Sequence, residues 1–292
     1  MDRKNFIKKG LLGTGIFAAS AAFGNIINNE IDEIQPLEPI GYNHLPNVSS
    51  KIKDNSILHA ADSRGNADHG WLLSKHTFSF ANYYNPERMH FGVLRVLNDD
   101  RVDAARGFGT HPHDNMEIIS IPLEGDLEHK DSMGNVAIIK KGDIQVMSAG
   151  TGIMHSEFNK NSDQEVRFLQ IWLYPNKRNV TPRYDQITLD LAERHNNFQQ
   201  ILSPSKDDAG VSIQQDAWFH LGNFEKDFET TYSLKKKGNG VYFFIIKGSA
   251  NVEGQDLATR DGFGVWDTQK LKIKATSPDT EILVMDVPMA LA

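Results

Sequence analysis

Gly107-Phe108-Gly109-Thr110-His111-Pro112-His113, answered further along by Ser148-Ala149-Gly150-Thr151-Gly152-Ile153-Met154-His155-Ser156-Glu157, is the pair of segments from which the rest of the chain can be read. In a β-strand, residues i and i+2 project from the same face. His111 and His113 therefore point together while Pro112 points away, and His155 with Glu157 repeats the pattern. Two such strands side by side in a small barrel bring three imidazoles and one carboxylate to a single interior point. Neutral nitrogens with one oxygen form a borderline donor set suited to Fe(II), and also to Cu, Ni, Mn or Zn, with positions left for water or substrate. Glu117 is a rival carboxylate on the same strand parity as His113. Four residues of straight strand carry it roughly 13 Å away, so it reaches the same point only through a bulge, or serves as a hydrogen-bond partner to a ligand.

The surrounding chain is read as strands. Phe91 to Leu97, Met116 to Leu123, Val136 to Ile139, Asp143 to Met147 and Arg167 to Leu173 alternate or run apolar. Glu124-Gly125-Asp126 and Lys141-Gly142-Asp143 separate them as turns, the pattern of an antiparallel barrel or sandwich. A second series follows at Tyr232 to Leu234, Val241 to Ile246, Ala250 to Val252, Gly264 to Trp266, Leu271 to Ile273 and Ile282 to Val287. The reading is all-β with two similar domains, joined by a connection over 174–190. The best helix signal is Leu189 to Gln199. Leu127-Glu128-His129-Lys130-Asp131-Ser132 is polar and reads as a turn, with His129 solvated or locally hydrogen-bonded. The aromatic run Trp71, His76, Phe78, Phe80, Tyr83, Tyr84 reads as core and edge packing, part of it walling a pocket above the metal.

Composition excludes several classes. The 292 residues contain no cysteine, so disulfides, thiolate metal sites and cysteine nucleophiles are out, and a metal must sit on His and carboxylate. The net charge is −7, and residues 1–21 hold four basic residues against one acid, leaving the remainder more acidic still. That body offers no basic footprint for nucleic acid. The glycines of 150–152 lack the Lys-Ser or Lys-Thr of a phosphate loop, and no strand-Ser-helix elbow supports a serine hydrolase.

The N-terminus has a charged region, then a small and apolar stretch from Gly10 to Ala22, too short to span a bilayer, with Ala19-Ser20-Ala21 as a cleavage site. Arg3-Lys4-Asn5-Phe6-Ile7-Lys8 resembles a twin-arginine signal with lysine as second basic residue. An export signal over 1–22 and a periplasmic protein without a membrane anchor are expected, the alternative being a retained amphipathic helix. A linker or arm is expected over 23–56, a metal-binding domain over 57–180 and a second domain without metal over 181–292.

Thr77-Phe78-Ser79-Phe80, Leu94-Arg95-Val96-Leu97-Asn98-Asp99-Asp100, His111-Pro112-His113-Asp114-Asn115-Met116-Glu117-Ile118 and the segment from Gly142 to Glu157 are similar to pirins, the two-domain cupins that include bacterial quercetinases. The resemblance runs from about Asp62 to Pro288. It implies two tandem cupin (jelly-roll) β-barrels, a metal usually taken as iron on His111, His113, His155 and Glu157, and a second barrel whose histidine, His220, stands alone. Three activities are weighed on that site. The first is dioxygenase cleavage of a flavonol such as quercetin with O2, Glu157 taking the substrate proton; the second is a non-enzymatic, metal- or redox-responsive binding role. Another oxygenase or isomerase on the same scaffold is the third possibility, because fold does not dictate reaction. A monomer is expected.

Overall fold

The computed structural model describes residues 54–291. The expected export signal and nearly all of the expected arm lie outside the described residues. Among the described residues, no helix is long and apolar enough to cross a membrane.

The strands form two pairs of sheets, each pair made of one seven-stranded and one four-stranded sheet. The first large sheet runs in the order Arg183–Thr188, Asp143–Ser148, Glu117–Glu124, Val166–Leu173, Leu94–Val102, Leu72–His76, Gly65–Asp68. Its smaller companion is Gly107–His113, Ile153–Asn159, Asp126–Asp131, Val136–Lys140. The second large sheet centres on Asn239–Lys247, Thr280–Pro288 and Trp218–Phe224, and its companion on Lys270–Ala275.

The two large sheets are buried on both faces, which is why Glu117–Glu124 and Asn239–Lys247 read as nearly continuous apolar runs. One face of each contributes to a shared core: Ile119, Ile121, Leu169 and Ile171 from the first sheet meet Phe219, Tyr242, Phe244 and Leu283 from the second. The other face of each lines its own barrel. In the second barrel that interior is largely apolar, with Val241, Phe243, Ile245, Phe263, Ile273 and Val284 in one cluster and His220, Tyr232 and Asp286 as a small buried polar group. In the first barrel an apolar plug around Phe168, Leu127 and Ile139 leaves room for buried polar side chains: Ser74, Asn98, Asp100, Ser120, Glu157 and Gln170.

Two strands cross the expected boundary at residue 180. Ser56–His59 pairs with Gly262–Val265 in the second barrel, and Arg183–Thr188 pairs with Asp143–Ser148 in the first. The segment read as a helix over 189–199 is instead the 3₁₀ turn Leu191–Arg194 followed by the strand Phe198–Ser203. Asp190 caps the turn by accepting from the Ala192 N–H, but Asn196, at φ 49°, breaks any continuation.

Glu117 faces the seam between the barrels. Its carboxyl accepts from Ser148 Oγ at 2.8 Å and from the backbone N–H of Gln214 at 3.2 Å. Burial pushes its pKa from 4.5 up to about 7, against the pull of those two hydrogen bonds. A carboxyl held above its unfolded value supports folding fully below pH 4.5 and loses that contribution as pH rises through about 7. Glu117→Gln keeps an acceptor for both donors and removes the charge. Relative to wild type, it is expected to gain on the order of 1–3 kcal/mol in urea unfolding between about pH 5 and pH 8. A constant difference across that range would show that Glu117 titrates normally.

Candidate metal centre

Strand Ile153–Asn159 lies between Gly107–His113 and Asp126–Asp131, so three strands deliver side chains to one place. His155 is paired with His111 on one side, but two residues further along, Glu157 is opposite Phe108. The Gly107–His113 strand therefore carries one extra residue, a β-bulge, around Gly109-Thr110. The Gly109 carbonyl accepts a hydrogen bond from His111 Nδ1 at 2.8 Å. A carbonyl cannot donate, so the proton is on Nδ1 and the His111 lone pair is on Nε2.

The imidazoles of His111, His113 and His155 face one another with centroids 4.4 to 4.8 Å apart. One nitrogen of each lies within 4.8 Å of the other two. Burial, then the neighbouring rings, pushes His155 down to about 3 and His113 down to about 4, so both are uncharged at neutral pH. His155 Nε2 is buried without a hydrogen-bond partner among the described residues. Neutral imidazoles converging with an orphaned buried nitrogen fit a divalent metal, because an apolar environment offers that nitrogen nothing else. Among the described residues this is the one group of three or more metal-ligating side chains set so closely, and all three are histidines.

His129 is not in a turn. It lies on the strand Asp126–Asp131, fully buried, with its ring 4.7 Å from that of Tyr184. Its Nε2 meets Asp131 Oδ2 at 3.1 Å, and its Nδ1 lies 3.5 Å from His155 Nδ1. Burial raises Asp131, but hydrogen bonds from Asn135, His129 and the Met133 N–H more than offset it and hold the carboxyl below its ordinary range. An ionised Asp131 accepts a hydrogen bond from His129 Nε2–H, which leaves His129 Nδ1 to accept from His155 Nδ1–H. His155 Nε2 is then the free lone pair aimed at its two companions. The sequence signal was there: Leu127, His129 and Asp131 alternate with Glu128, Lys130 and Ser132, the period of a half-buried strand, although most of its residues are polar.

Glu157 is buried beside this group but outside the tight cluster of nitrogens. Gln170 Nε2 donates to both of its carboxylate oxygens, at 3.0 and 2.8 Å, and Ser120 Oγ to one at 3.2 Å. Glu117 is separate, at the seam between the barrels. His220 in the second barrel is alone, its Nδ1 3.3 Å from the Tyr232 hydroxyl.

Above His111 and Glu157 is a cavity of about 320 Å³, of a size that takes small molecules. Trp71, Phe80, Phe108 and Trp172 form much of its wall. Phe80 meets Trp172 edge-on at 5.3 Å, and Trp172 meets His113 at 4.9 Å, so the apolar wall abuts the cluster. Of the aromatic run, Trp71, His76 and Phe80 line the cavity, Phe78 is in the core between the barrels and Tyr84 is exposed.

The family model described as Pirin matches residues 58–173, and that described as the quercetinase C-terminal cupin domain matches residues 200–287. A quercetin 2,3-dioxygenase of Escherichia coli strain K12 is 43% identical over 79% of this chain and 98% of its own length. A putative quercetin 2,3-dioxygenase of Pseudomonas aeruginosa is 41% identical over 77% of this chain and 97% of its own. Among solved structures, the bacterial pirin YhhW from Escherichia coli in complex with nickel(II) aligns with a TM-score of 0.75 and 42% identity, covering 80% of this chain and 99% of that one. The fold, the sequence along both barrels and the match over nearly the whole of these relatives agree, and the chain belongs to the pirin family.

Proposed function

We propose that the chain is a metal-dependent dioxygenase of the pirin type that opens the heterocycle of a flavonol, or a related polyphenol, with O2. The observation that carries this is the convergence of three imidazoles at the floor of an aromatic-walled cavity. His111, His113 and His155 are the nitrogen ligands of one divalent ion, and Glu157 is the fourth, more weakly held because Gln170 and Ser120 already engage it. Fe(II) is the favoured ion, with Ni, Cu, Mn and Zn as alternatives; the nickel complex of the related pirin supports a first-row divalent metal. The bound ion supplies Lewis acidity at adjacent substrate oxygens and the means to use O2.

The protein does the rest. Phe80, Trp71, Phe108 and Trp172 sandwich a flat substrate and keep water from it. Glu157 accepts the proton of the flavonol hydroxyl, which makes the ring electron-rich enough to react. Gln170, donating to both oxygens, keeps the carboxylate aimed. The leader at 1–22 directs the enzyme out of the cytoplasm, and this is read from the sequence alone.

The test is oxygen uptake together with loss of flavonol absorbance in metal-saturated protein. Glu157→Gln is expected to lower turnover at least ~100-fold, the usual contribution of a placed general base. Full turnover by the saturated variant would remove Glu157 from proton transfer. Tight metal binding by wild type without turnover of any flavonol would favour the binding-protein alternative. His129→Phe, which keeps the ring against Tyr184 but deletes the acceptor for His155, is expected to weaken metal binding ~10–100-fold in a chelator competition. Unchanged affinity would show that His155 needs no such support.

A further inference from the structure

The outer face of the first barrel's smaller sheet turns away from the metal centre. On strand Ile153–Asn159, His155 and Glu157 are buried on the inner side, while Met154 and Phe158 are exposed on the other. Strand Val136–Lys140 alternates in the same way, with Val136, Ile138 and Lys140 outward. Of the eight large apolar side chains left exposed among the described residues, five are gathered here: Met133, Val136, Ile138, Met154 and Phe158. Exposed apolar side chains are ordinary when scattered, whereas a cluster of them marks a surface that meets something.

The register places charge among them. Phe158 is opposite Glu128 and Glu128 is opposite Ile138, while in the next row Lys130 is opposite Val136. Glu128 is held between the amines of Lys130 and Lys160, each at 2.7 Å, and Asp126 is opposite Lys140. Three lysines thus meet two acids on this face, and the exposed Lys141 adjoins it, in a chain whose net charge is −7. Such a local surplus selects an anionic partner.

Geometry narrows the kind of partner. A folded protein would have to bury the Lys130–Glu128–Lys160 network, which lies between the apolar flanks, and lysine is depleted from interface cores because its desolvation is costly. A second copy would set one lysine surplus against another. Addition of an extended peptide to the edge strand Val136–Lys140 is opposed, since Gln186 Nε2 already donates to the Ile138 carbonyl and the Asp143 carboxylate accepts from the Lys140 N–H. A lipid headgroup layer meets none of these obstacles. It keeps the amines hydrated beside phosphates and lets each apolar side chain enter singly.

We infer that this sheet face is a docking surface for an anionic lipid bilayer, its five exposed apolar side chains entering the headgroup boundary and its lysines meeting lipid phosphates. The contact is interfacial and reversible, and it is independent of the reaction at the metal centre. Strand Ile153–Asn159 then carries metal-binding side chains on one face and lipid contacts on the other.

The test is co-sedimentation of the full chain with vesicles of phosphatidylcholine, with and without phosphatidylglycerol. Wild type is expected to prefer the anionic vesicles at least ~10-fold and to lose that preference as salt rises. Val136→Ser with Ile138→Ser should weaken binding ~10-fold, and Lys130→Gln with Lys160→Gln ~30-fold, while metal affinity stays within ~2-fold of wild type. The basic residues of 1–21 are the same in every variant, so the comparison reads the sheet face alone. Should a double variant fail to fold, a fluorophore decides the matter. The chain has no cysteine, so Val136→Cys and, on the exposed surface of the second barrel, Ser233→Cys each carry one environment-sensitive label. Anionic vesicles are expected to shift the emission at position 136 to the blue and to leave that at 233 unchanged. No binding, equal binding to the two vesicle types, undiminished binding by both double variants, or equal shifts at the two labels overturns the lipid surface. Self-association of wild type that Val136→Ser with Ile138→Ser abolishes, without vesicle binding, would give the face to a second copy instead.

Discussion

Replacing His155 with alanine is expected to abolish tight divalent-metal binding, with affinity falling at least ~100-fold, since loss of a supporting partner alone costs ~10–100-fold. Three features make His155 the ligand with the largest effect. It is on the middle strand of the three that deliver the side chains, so its ring touches both other imidazoles. It is 2% exposed, whereas His111 and His113 are only half-buried. Its lone pair is fixed by the Asp131–His129 chain. The variant should fold, because the ring stands on a sheet held by backbone pairing on both sides. A ligand that binds only the folded state raises the unfolding midpoint. Added metal should therefore raise the thermal midpoint of wild type and not that of His155→Ala. Wild-type affinity in the variant, read by competition with a chelator, would exclude the three-imidazole site.

Phe168→Ala is expected to destabilise the protein by about 3–5 kcal/mol in urea unfolding, the usual cost of emptying a large, fully buried aromatic position. Phe168 is wholly buried and packs with Leu72, Val102, Leu127, Ile139 and Val166 beneath the metal-bearing end of the first barrel. These residues come from five strands of both sheets, so no single strand can move in to fill the space. Metal at ~100 times its dissociation constant should return about 2.7 kcal/mol. A loss below about 1 kcal/mol would mean that the plug relaxes freely and does not brace the site.

Much of this was legible in the chain because strand parity is a strict geometric rule. His111 and His113 could be placed on one face from spacing alone, as could His155 and Glu157, the expected barrel brought the two pairs together, and the glycine turns marked two similar series of strands. Three features escaped. The strand exchange between barrels depends on Ser56–His59 meeting Gly262–Val265, a pairing between segments too short to announce themselves and far apart in sequence. His129 was hidden by charge: Glu128, Lys130 and Asp131 made a buried strand look like a loop, although the outward pair is tied up in Lys130–Glu128–Lys160 ion pairs at 2.7 Å. The strand read as ending at Leu97 runs on to Val102, and there Asp99 faces Arg64 and Arg260 while Asn98 and Asp100 face the cavity. In the last two cases a polar interior inverted the usual hydrophobic pattern, and it did so where the chemistry is.

The most direct test of the central claim is anomalous diffraction from crystals of the protein loaded with nickel(II) or manganese(II). One peak is predicted at the cavity floor, about 2.0–2.2 Å from a nitrogen of each of His111, His113 and His155. No peak there, or a peak held by other side chains, would contradict the site on which the proposed function rests.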